Sequence, residues 1–183
     1  MTLFGSEIYL VRYPETVIEK SFGKTSGELL LDKLCEKVFL SLWSYPNVYS
    51  DESRNKNKEG RPVGDGKEIC DLLVVFGNHV FIFSDKVCAC DTFSEVDWKR
   101  WYRRAIKKSA RQLYGAEKWI KEHPDRVFID PQCEKPFPIP IPPLGQMRVH
   151  RILVAHGASG ACRQYYSGGS GSLALNSDVI GDN

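Results

Sequence analysis

The sequence predicts a single mixed α/β domain, an α+β layered arrangement in which helices flank a central sheet. Apolar residues recur at helical spacing in residues 25–45 and 95–122, and two short apolar runs meet at Gly77-Asn78, as the strands of a hairpin would. Of the 183 residues, 42% are apolar and 26% are charged, so the chain can bury a core of ordinary size. We therefore expect a sheet that is covered by at least two helices.

The first helix is predicted to begin at Thr25. The sequence Thr25-Ser26-Gly27-Glu28 has the spacing of a capping box, in which Thr25 and Glu28 bond each other's backbone N–H groups. Apolar residues then follow at helical intervals: Leu31, Leu34, Cys35, Val38, Leu42 and Tyr45. Pro46-Asn47 predicts the end of this helix. Residues 1–24 form an N-terminal segment in which we assign only a short strand at residues 8–11.

The hairpin follows a polar, glycine-rich stretch. Residues 50–67 predict an exposed loop, which is either a substrate flap or an insert. The strands "EICDLLVVF" and "HVFIFSDK" then flank Gly77-Asn78. Pairing across this turn brings Asp71 opposite Ser84, at the end of the hairpin that carries Asp85 and Lys86. A carboxylate within an apolar strand is costly to bury, so Asp71 requires a partner or a function.

The remaining elements are a long helix and two strands. The helix spans residues 95–122, with Ser94 as the N-cap and His123-Pro124 as the stop signal. Residues 126–129 predict a short strand, residues 131–145 an extended proline-rich segment, and residues 149–155 the last strand. We expect one folded domain at residues 25–156, and a tail or a linker to a further domain at residues 157–183, because the latter residues are rich in glycine and serine.

Composition excludes several classes of protein. The sequence contains no run of about 18 apolar residues and no secretory leader, so we expect a cytoplasmic protein without a membrane partner. The six cysteines are expected to be reduced thiols, and their spacing does not favour a structural zinc site. The net charge of +2 does not by itself indicate nucleic acid.

The long helix has a basic face. On a helical wheel seven cations share one half: Lys99, Arg100, Arg103, Arg104, Lys107, Lys108 and Arg111. Like charges at this spacing repel by about 0.2 to 0.5 kcal/mol per pair, and a polyanion would relieve that repulsion. The face therefore indicates contact with a phosphate backbone, or else a solvated surface that an acidic loop or another domain neutralises. Ser109 and Gln112 fall on the apolar side, where each requires a hydrogen-bond partner, and Gln112 is a candidate for orienting a catalytic group.

The polar end of the hairpin suggests phosphodiester chemistry. Mg²⁺ binds few protein carboxylates and contacts substrate phosphates, and a nearby lysine can orient the attacking water or neutralise the phosphate. These residues and the order of the elements resemble the PD-(D/E)XK, or restriction-endonuclease-like, nuclease superfamily. Its core is a helix, a hairpin-bearing sheet, a second helix and a further strand. The resemblance covers residues 25–156.

The resemblance implies a role for each matching residue. Asp71 corresponds to the first aspartate of the superfamily motif and Lys86 to its lysine. Glu28 matches an acidic residue that many members carry on the first helix, and Gln112 matches a glutamine that some carry on the second. The resemblance also implies Mg²⁺ or Mn²⁺ as the cofactor, a nucleic acid and in the first place DNA as the substrate, and a setting in bacterial antiviral defence or repair.

The chain departs from the superfamily motif at one position. Ser84 stands two residues before the lysine, where the superfamily has Asp or Glu, and the acid is Asp85, one residue later. Either a local distortion makes Asp85 a metal ligand together with Glu28 and Asp71, or the site has one carboxylate fewer. Strand parity turns Glu68 away from Asp71, so Glu68 is a weaker candidate. Glu28 is also explained by the capping box, and Asp71 by a salt bridge with Lys86.

Three functions follow from these observations. The first is a metal-dependent nuclease with Asp71, Lys86 and Gln112 as catalytic residues. The second is a non-catalytic nucleic-acid-binding or sensor domain of the same fold, attached to further domains or subunits. The third is a protein-interaction module that uses the proline-rich residues 136–143.

Overall fold

A computed structural model describes residues 23, 25–39, 43–56, 62–90 and 94–171 of the chain. Helix α1 spans Ser26–Phe39, and strands β1 to β5 span Ser44–Ser50, Asn55–Lys56, Pro62–Val63, Lys67–Phe76 and His79–Val87. Helix α2 (Glu95–Trp101) continues through a π-helical turn (Tyr102–Lys107) into α3 (Lys108–Glu122). Strands β6 (Val127–Phe128) and β7 (Arg148–His156) and helix α4 (Ser159–Tyr165) complete the described elements.

The described strands form a mixed five-stranded sheet in the order β6-β1-β4-β5-β7. Neighbouring strands are antiparallel except β5 and β7, which are parallel. A parallel pair requires a crossover connection, and α2, the π-helical turn and α3 lie on the chain between these two strands. The sheet with its helices confirms the predicted α+β layered class.

A helix covers each face of the sheet. On one face, Leu31 and Cys35 of α1 pack against Leu72 and Phe83 of the hairpin. On the other face, residues of α3 and of the sheet form the larger core cluster, which includes Leu113, Ala116, Ile120, Leu73, Val75 and Ile82. Strand residues alternate between these two clusters, so the parity of a hairpin residue decides which helix it faces.

The predicted end of the first helix was wrong. Helix α1 ends at Phe39, and Tyr45 lies in β1, where it pairs with Leu73 and is 1% exposed. Residues 44–50 are buried throughout; β4 pairs along this strand, and β6 pairs with Tyr49 and Ser50 at its end. Pro46 is uncommon in a central strand, and Asn47 has a positive φ of 50°, so local propensity opposes this strand and tertiary pairing determines it.

Two other segments differ from their predictions. The loop at residues 50–67 contains the short antiparallel pair β2 and β3. The segment after residue 156, predicted to lack a further element, contains α4, whose Ala161 and Cys162 are buried against Trp101 and Ala105. All six cysteines lie in the described ranges, and each is a free thiol. Among the described helices, none has the length and apolarity needed to cross a membrane.

Candidate active-site cavity

A cavity of about 250 Å³ lies where β4, β5 and α3 meet. Its polar lining comes from three elements: Asp71 from β4, Ser84 and Lys86 from β5, and Gln112 from α3. The other lining residues are Glu68, Ile69, Cys70 and Leu113. The structure thus brings together the three residues that were predicted to be catalytic, although they are up to 41 positions apart in the sequence.

The carboxylate of Asp71 is held in place by the neighbouring strand. Regular pairing of β4 with β5 ends at Leu72 and Phe83. Beyond that point, Oδ2 of Asp71 accepts a hydrogen bond of 2.5 Å from the backbone N–H of Asp85. One carboxylate oxygen is therefore committed to the hairpin, while the side chain still lines the cavity.

Lys86 is half-buried and lines the same cavity. It forms no ion pair with Asp71 or with any other residue in the described ranges. The salt bridge considered from the sequence as a structural explanation for Asp71 is therefore not formed.

A β-bulge changes the position of Glu68. Val48 pairs with Cys70 and the next residue, Tyr49, pairs with Glu68, so Ile69 is an extra residue in β4. One inserted residue reverses the alternation of side chains. Glu68 and Asp71 would face opposite sides of a regular strand, but they line one cavity here. The parity argument against Glu68 assumed a regular strand, and the bulge, which is not visible in an apolar pattern, removes that assumption.

Cys70, between these two acids, is not suited to act as a nucleophile. Burial raises the pKa of its thiol well above the usual value, and the negative charges of Asp71 and Glu68 raise the pKa further. Its thiol lies 3.4 Å from the carbonyl oxygen of Leu72, to which it donates. Cys70 is thus protonated at neutral pH. The polar groups of the cavity that remain available for catalysis carry oxygen and nitrogen atoms.

Asp85, predicted as a metal ligand, lies on the other face of the sheet. It is 7% exposed, its Oδ1 lies 2.8 Å from Nε2 of His156, and its Oδ2 faces Gly27 in the first turn of α1. An anion is favoured near a helix N-terminus, and a buried carboxylate requires such partners. Asp85 follows Ser84 on a strand with regular alternation, and it does not line the cavity.

Glu28 is also absent from the cavity lining. The predicted capping box is confirmed: the Thr25 hydroxyl accepts from the Glu28 N–H at 3.2 Å, and Oε2 of Glu28 accepts from the Thr25 N–H at 3.4 Å. Of the three metal ligands expected from the sequence, only Asp71 lines the cavity. Within the described ranges, no three His, Cys, Asp or Glu side chains are grouped as a metal site.

The buried position of Asp85 predicts a stability effect at Gly27. A Cβ at Gly27 would lie 2.0 Å from Oδ2 of Asp85, which His156 holds in place. Gly27→Ala is expected to lower the free energy of unfolding by about 1 to 3 kcal/mol, measured by urea denaturation. Gly115→Ala, where an added Cβ meets nothing within 4 Å, is the control and is expected to raise stability by about 0.5 to 1 kcal/mol. Equal effects at both glycines would contradict this packing.

A groove of about 560 Å³ lies beside the cavity, and Glu68, Ile69 and Gln112 line both. Three cations of α3 line this groove, namely Lys108, Arg111 and Lys118, and all three are exposed. None of the three forms an ion pair among the residues that the structure describes. Lys67 also lines the groove, where it pairs with Glu52, and two further acids, Glu68 and Glu122, line it as well. The catalytic candidates therefore lie next to a groove of mixed charge that exposes three cations of α3.

The other cations of the basic face differ in their environments. Lys99 pairs with Glu95 at 2.5 Å and Arg100 approaches Asp97 at 3.8 Å, so the N-terminal end of the face is partly neutralised. Lys107 is half-buried, whereas Arg103 and Arg104 are exposed. The π-helical turn adds residues to one turn and changes the phase of the wheel. Tyr102, the first residue of this turn, is 46% exposed.

The two polar residues predicted on the apolar side of the helix lie in different environments. Ser109 is fully buried, and its hydroxyl has no hydrogen-bond partner within the described part of the chain. Gln112 is exposed instead of buried, because it lies at the edge of α3 where the cavity meets the groove. Its amide is therefore accessible to a bound substrate.

Some apolar side chains of the proline-rich segment pack against the core of the domain. Phe137, Ile139 and Ile141 are partly buried against the main core, and the ring of Phe137 packs edge-on against Tyr45 at 4.9 Å between centroids. These apolar side chains stabilise the domain, so they are not available as a docking strip. This packing does not favour the protein-interaction module.

Comparison with protein-family models, with curated proteins and with solved structures finds no match for this chain. Its function must therefore be inferred from the chemistry of the cavity and of the groove beside it.

Proposed function

We propose that this domain is a divalent-metal-dependent nuclease of the PD-(D/E)XK type, which hydrolyses phosphodiester bonds in nucleic acid, with DNA as the expected substrate. The observation that carries the proposal is the convergence of Asp71, Lys86 and Gln112 on one cavity from three separate elements. Packing of a core would not by itself bring together a carboxylate, an accessible amide and a lysine that has no ion pair among the described residues around one small cavity.

The arrangement of elements supports the same proposal. Helix α1, the antiparallel strands β1, β4 and β5, the crossover helices and the parallel strand β7 follow the order that the superfamily core requires. The aspartate lies on the first strand of the hairpin and the lysine on the second. The order of the elements and the strands on which Asp71 and Lys86 lie thus support the same assignment.

The donor atoms of the cavity fit Mg²⁺ or Mn²⁺. The carboxylate of Asp71 and the hydroxyl of Ser84 are hard oxygen donors, and a cavity of about 250 Å³ also has room for water. A bound Mg²⁺ would lower the pKa of a coordinated water and stabilise the charge that develops on the phosphate.

The residues of the chain have distinct roles in this proposal. Hydrolysis forms a bond between a water oxygen and phosphorus and breaks the P–O bond to the leaving oxygen. The water releases one proton to solvent, and the leaving oxygen takes one up. The ammonium group of Lys86 orients the water and offsets the growing negative charge. The amide of Gln112 contacts the water or a phosphate oxygen, while Lys108 and Arg111 bind neighbouring phosphates.

A second candidate function is nucleic-acid binding without cleavage. It is favoured by Ser84, which replaces an acid, and by Asp85, which is buried on the opposite face of the sheet. A site with a single carboxylate would bind metal weakly. The groove with its exposed cations would be retained in such a domain.

A cleavage assay distinguishes the two candidates. Single- and double-stranded DNA and RNA are incubated with the full chain and Mg²⁺ or Mn²⁺, and EDTA is added in parallel. We expect cleavage that requires the metal, is abolished by EDTA and returns when metal is restored. Salt-sensitive binding without cleavage of any substrate would refute the nuclease proposal and favour the second candidate. If the chain does not retard DNA even at low salt, both proposals are refuted.

A further inference from the structure

We infer that Glu68 and Asp71 together form a two-carboxylate site for a divalent, oxygen-preferring cation, with the hydroxyl of Ser84 beside them. In this arrangement the second acid comes from three residues before Asp71 on the same strand, instead of from the position of Ser84 or Asp85. The inference deepens the proposed nuclease function and rests on it for the role of the cation. The site itself is argued from the geometry of β4 and β5.

The bulge at Ile69 brings the two acids to one side of the sheet. Tyr49 pairs with Glu68 and Val48 with Cys70, so Ile69 interrupts the alternation between the acids. Both residues line the cavity.

Ser84 provides a second, independent indication of a ligand. It is 4% exposed and lines the cavity. Its hydroxyl makes no hydrogen bond to any residue in the described ranges, although it is surrounded by packed side chains. Its oxygen is not fully enclosed, unlike that of Ser109, so it is accessible from the cavity and can bind a water or a cation there.

The charges of the cavity favour a cation. Two carboxylates that line one small cavity repel each other, and this repulsion favours a bound cation. A divalent cation reverses the local charge and allows a phosphate to approach. Glu68 is exposed and also lines the groove, so a cation can reach it from solvent. Carboxylate and hydroxyl oxygens select Mg²⁺ or Mn²⁺ over softer metals.

Mn²⁺ binding to the full chain tests the site directly. Free Mn²⁺ is followed by electron paramagnetic resonance during titration of the wild type, Glu68→Gln, Asp71→Asn and the control Glu134→Gln. Glu134 is exposed and lines neither the cavity nor the groove. We expect Glu68→Gln and Asp71→Asn each to weaken Mn²⁺ binding by at least about tenfold, whereas Glu134→Gln binds as the wild type does. Circular dichroism confirms that each variant is folded.

Wild-type affinity in Glu68→Gln would overturn the inference, and so would a wild-type protein that binds no Mn²⁺ at millimolar concentration. Ser84→Asp adds an independent measurement. A third acid in the cavity should lower the melting temperature without metal, because like charges repel, and should make the increase on adding Mn²⁺ larger than in the wild type. An equal increase in both proteins would contradict the placement of Ser84 beside the cation.

The two proposals fail in different ways. If Mn²⁺ binding depends on Glu68 but no nucleic acid is cleaved, the cation site stands and the nuclease proposal is refuted. If cleavage depends on Asp71 while Glu68→Gln binds Mn²⁺ normally, the nuclease proposal stands and the two-carboxylate site is refuted.

Discussion

Asp71→Asn is expected to lower the rate of metal-dependent cleavage by about a thousandfold, equivalent to about 4 kcal/mol of lost transition-state stabilisation. The substitution removes the negative charge that would hold the cation. Asparagine keeps an oxygen that can accept the 2.5 Å hydrogen bond that the backbone N–H of Asp85 donates to Asp71. Asparagine is therefore a cleaner replacement than alanine, which would leave that backbone group without its partner. The initial rate of DNA cleavage at saturating Mg²⁺ gives the measurement.

The matched control is Asp85→Asn. Asp85 lies 14 residues later and faces His156 and Gly27. It is expected to retain cleavage, measured well below its melting temperature, while it unfolds at lower urea concentration because the contact with His156 is weakened. Two results would reject the site: undiminished cleavage by a verified preparation of Asp71→Asn, or a loss in Asp85→Asn as large as the loss in Asp71→Asn.

The double substitution Lys108→Glu with Arg111→Glu is expected to have the second largest effect, on nucleic-acid binding. Both side chains line the groove beside the cavity, and neither forms an ion pair among the described residues. Loss of two phosphate contacts should lower the slope of log K against log salt by about 2 and weaken binding to all sequences alike. Fluorescence anisotropy with labelled DNA at several salt concentrations measures both quantities.

The control for this pair is Lys33→Glu with Lys37→Glu on α1. It changes the net charge by the same amount, but α1 covers the opposite face of the sheet from α3. We expect little change in the salt slope for the control. Equal losses of affinity in both double variants would show that only overall charge matters and that the groove is not the binding surface.

Local patterns predicted much of this architecture. The capping box at Thr25 and Glu28 forms hydrogen bonds with the expected partners. Helical periodicity located α1 and the helix of residues 95–122, and two short apolar runs on either side of Gly77-Asn78 located the hairpin. Strand parity also placed Ser84 and Lys86 together. Each of these features depends on residues a few positions apart, which is the range over which a sequence pattern is informative.

The sequence by itself therefore determined the layered α+β class, the hairpin and the candidate residues Asp71, Lys86 and Gln112. Tertiary structure decided that residues 44–50 form a central strand, that Asp85 is buried beside His156, and that Glu68 joins Asp71. The physical reason is that strand pairing and bulges depend on hydrogen bonds to distant segments: Val48 and Tyr49 determine the register of β4, and one extra residue there reverses the direction of every side chain beyond it.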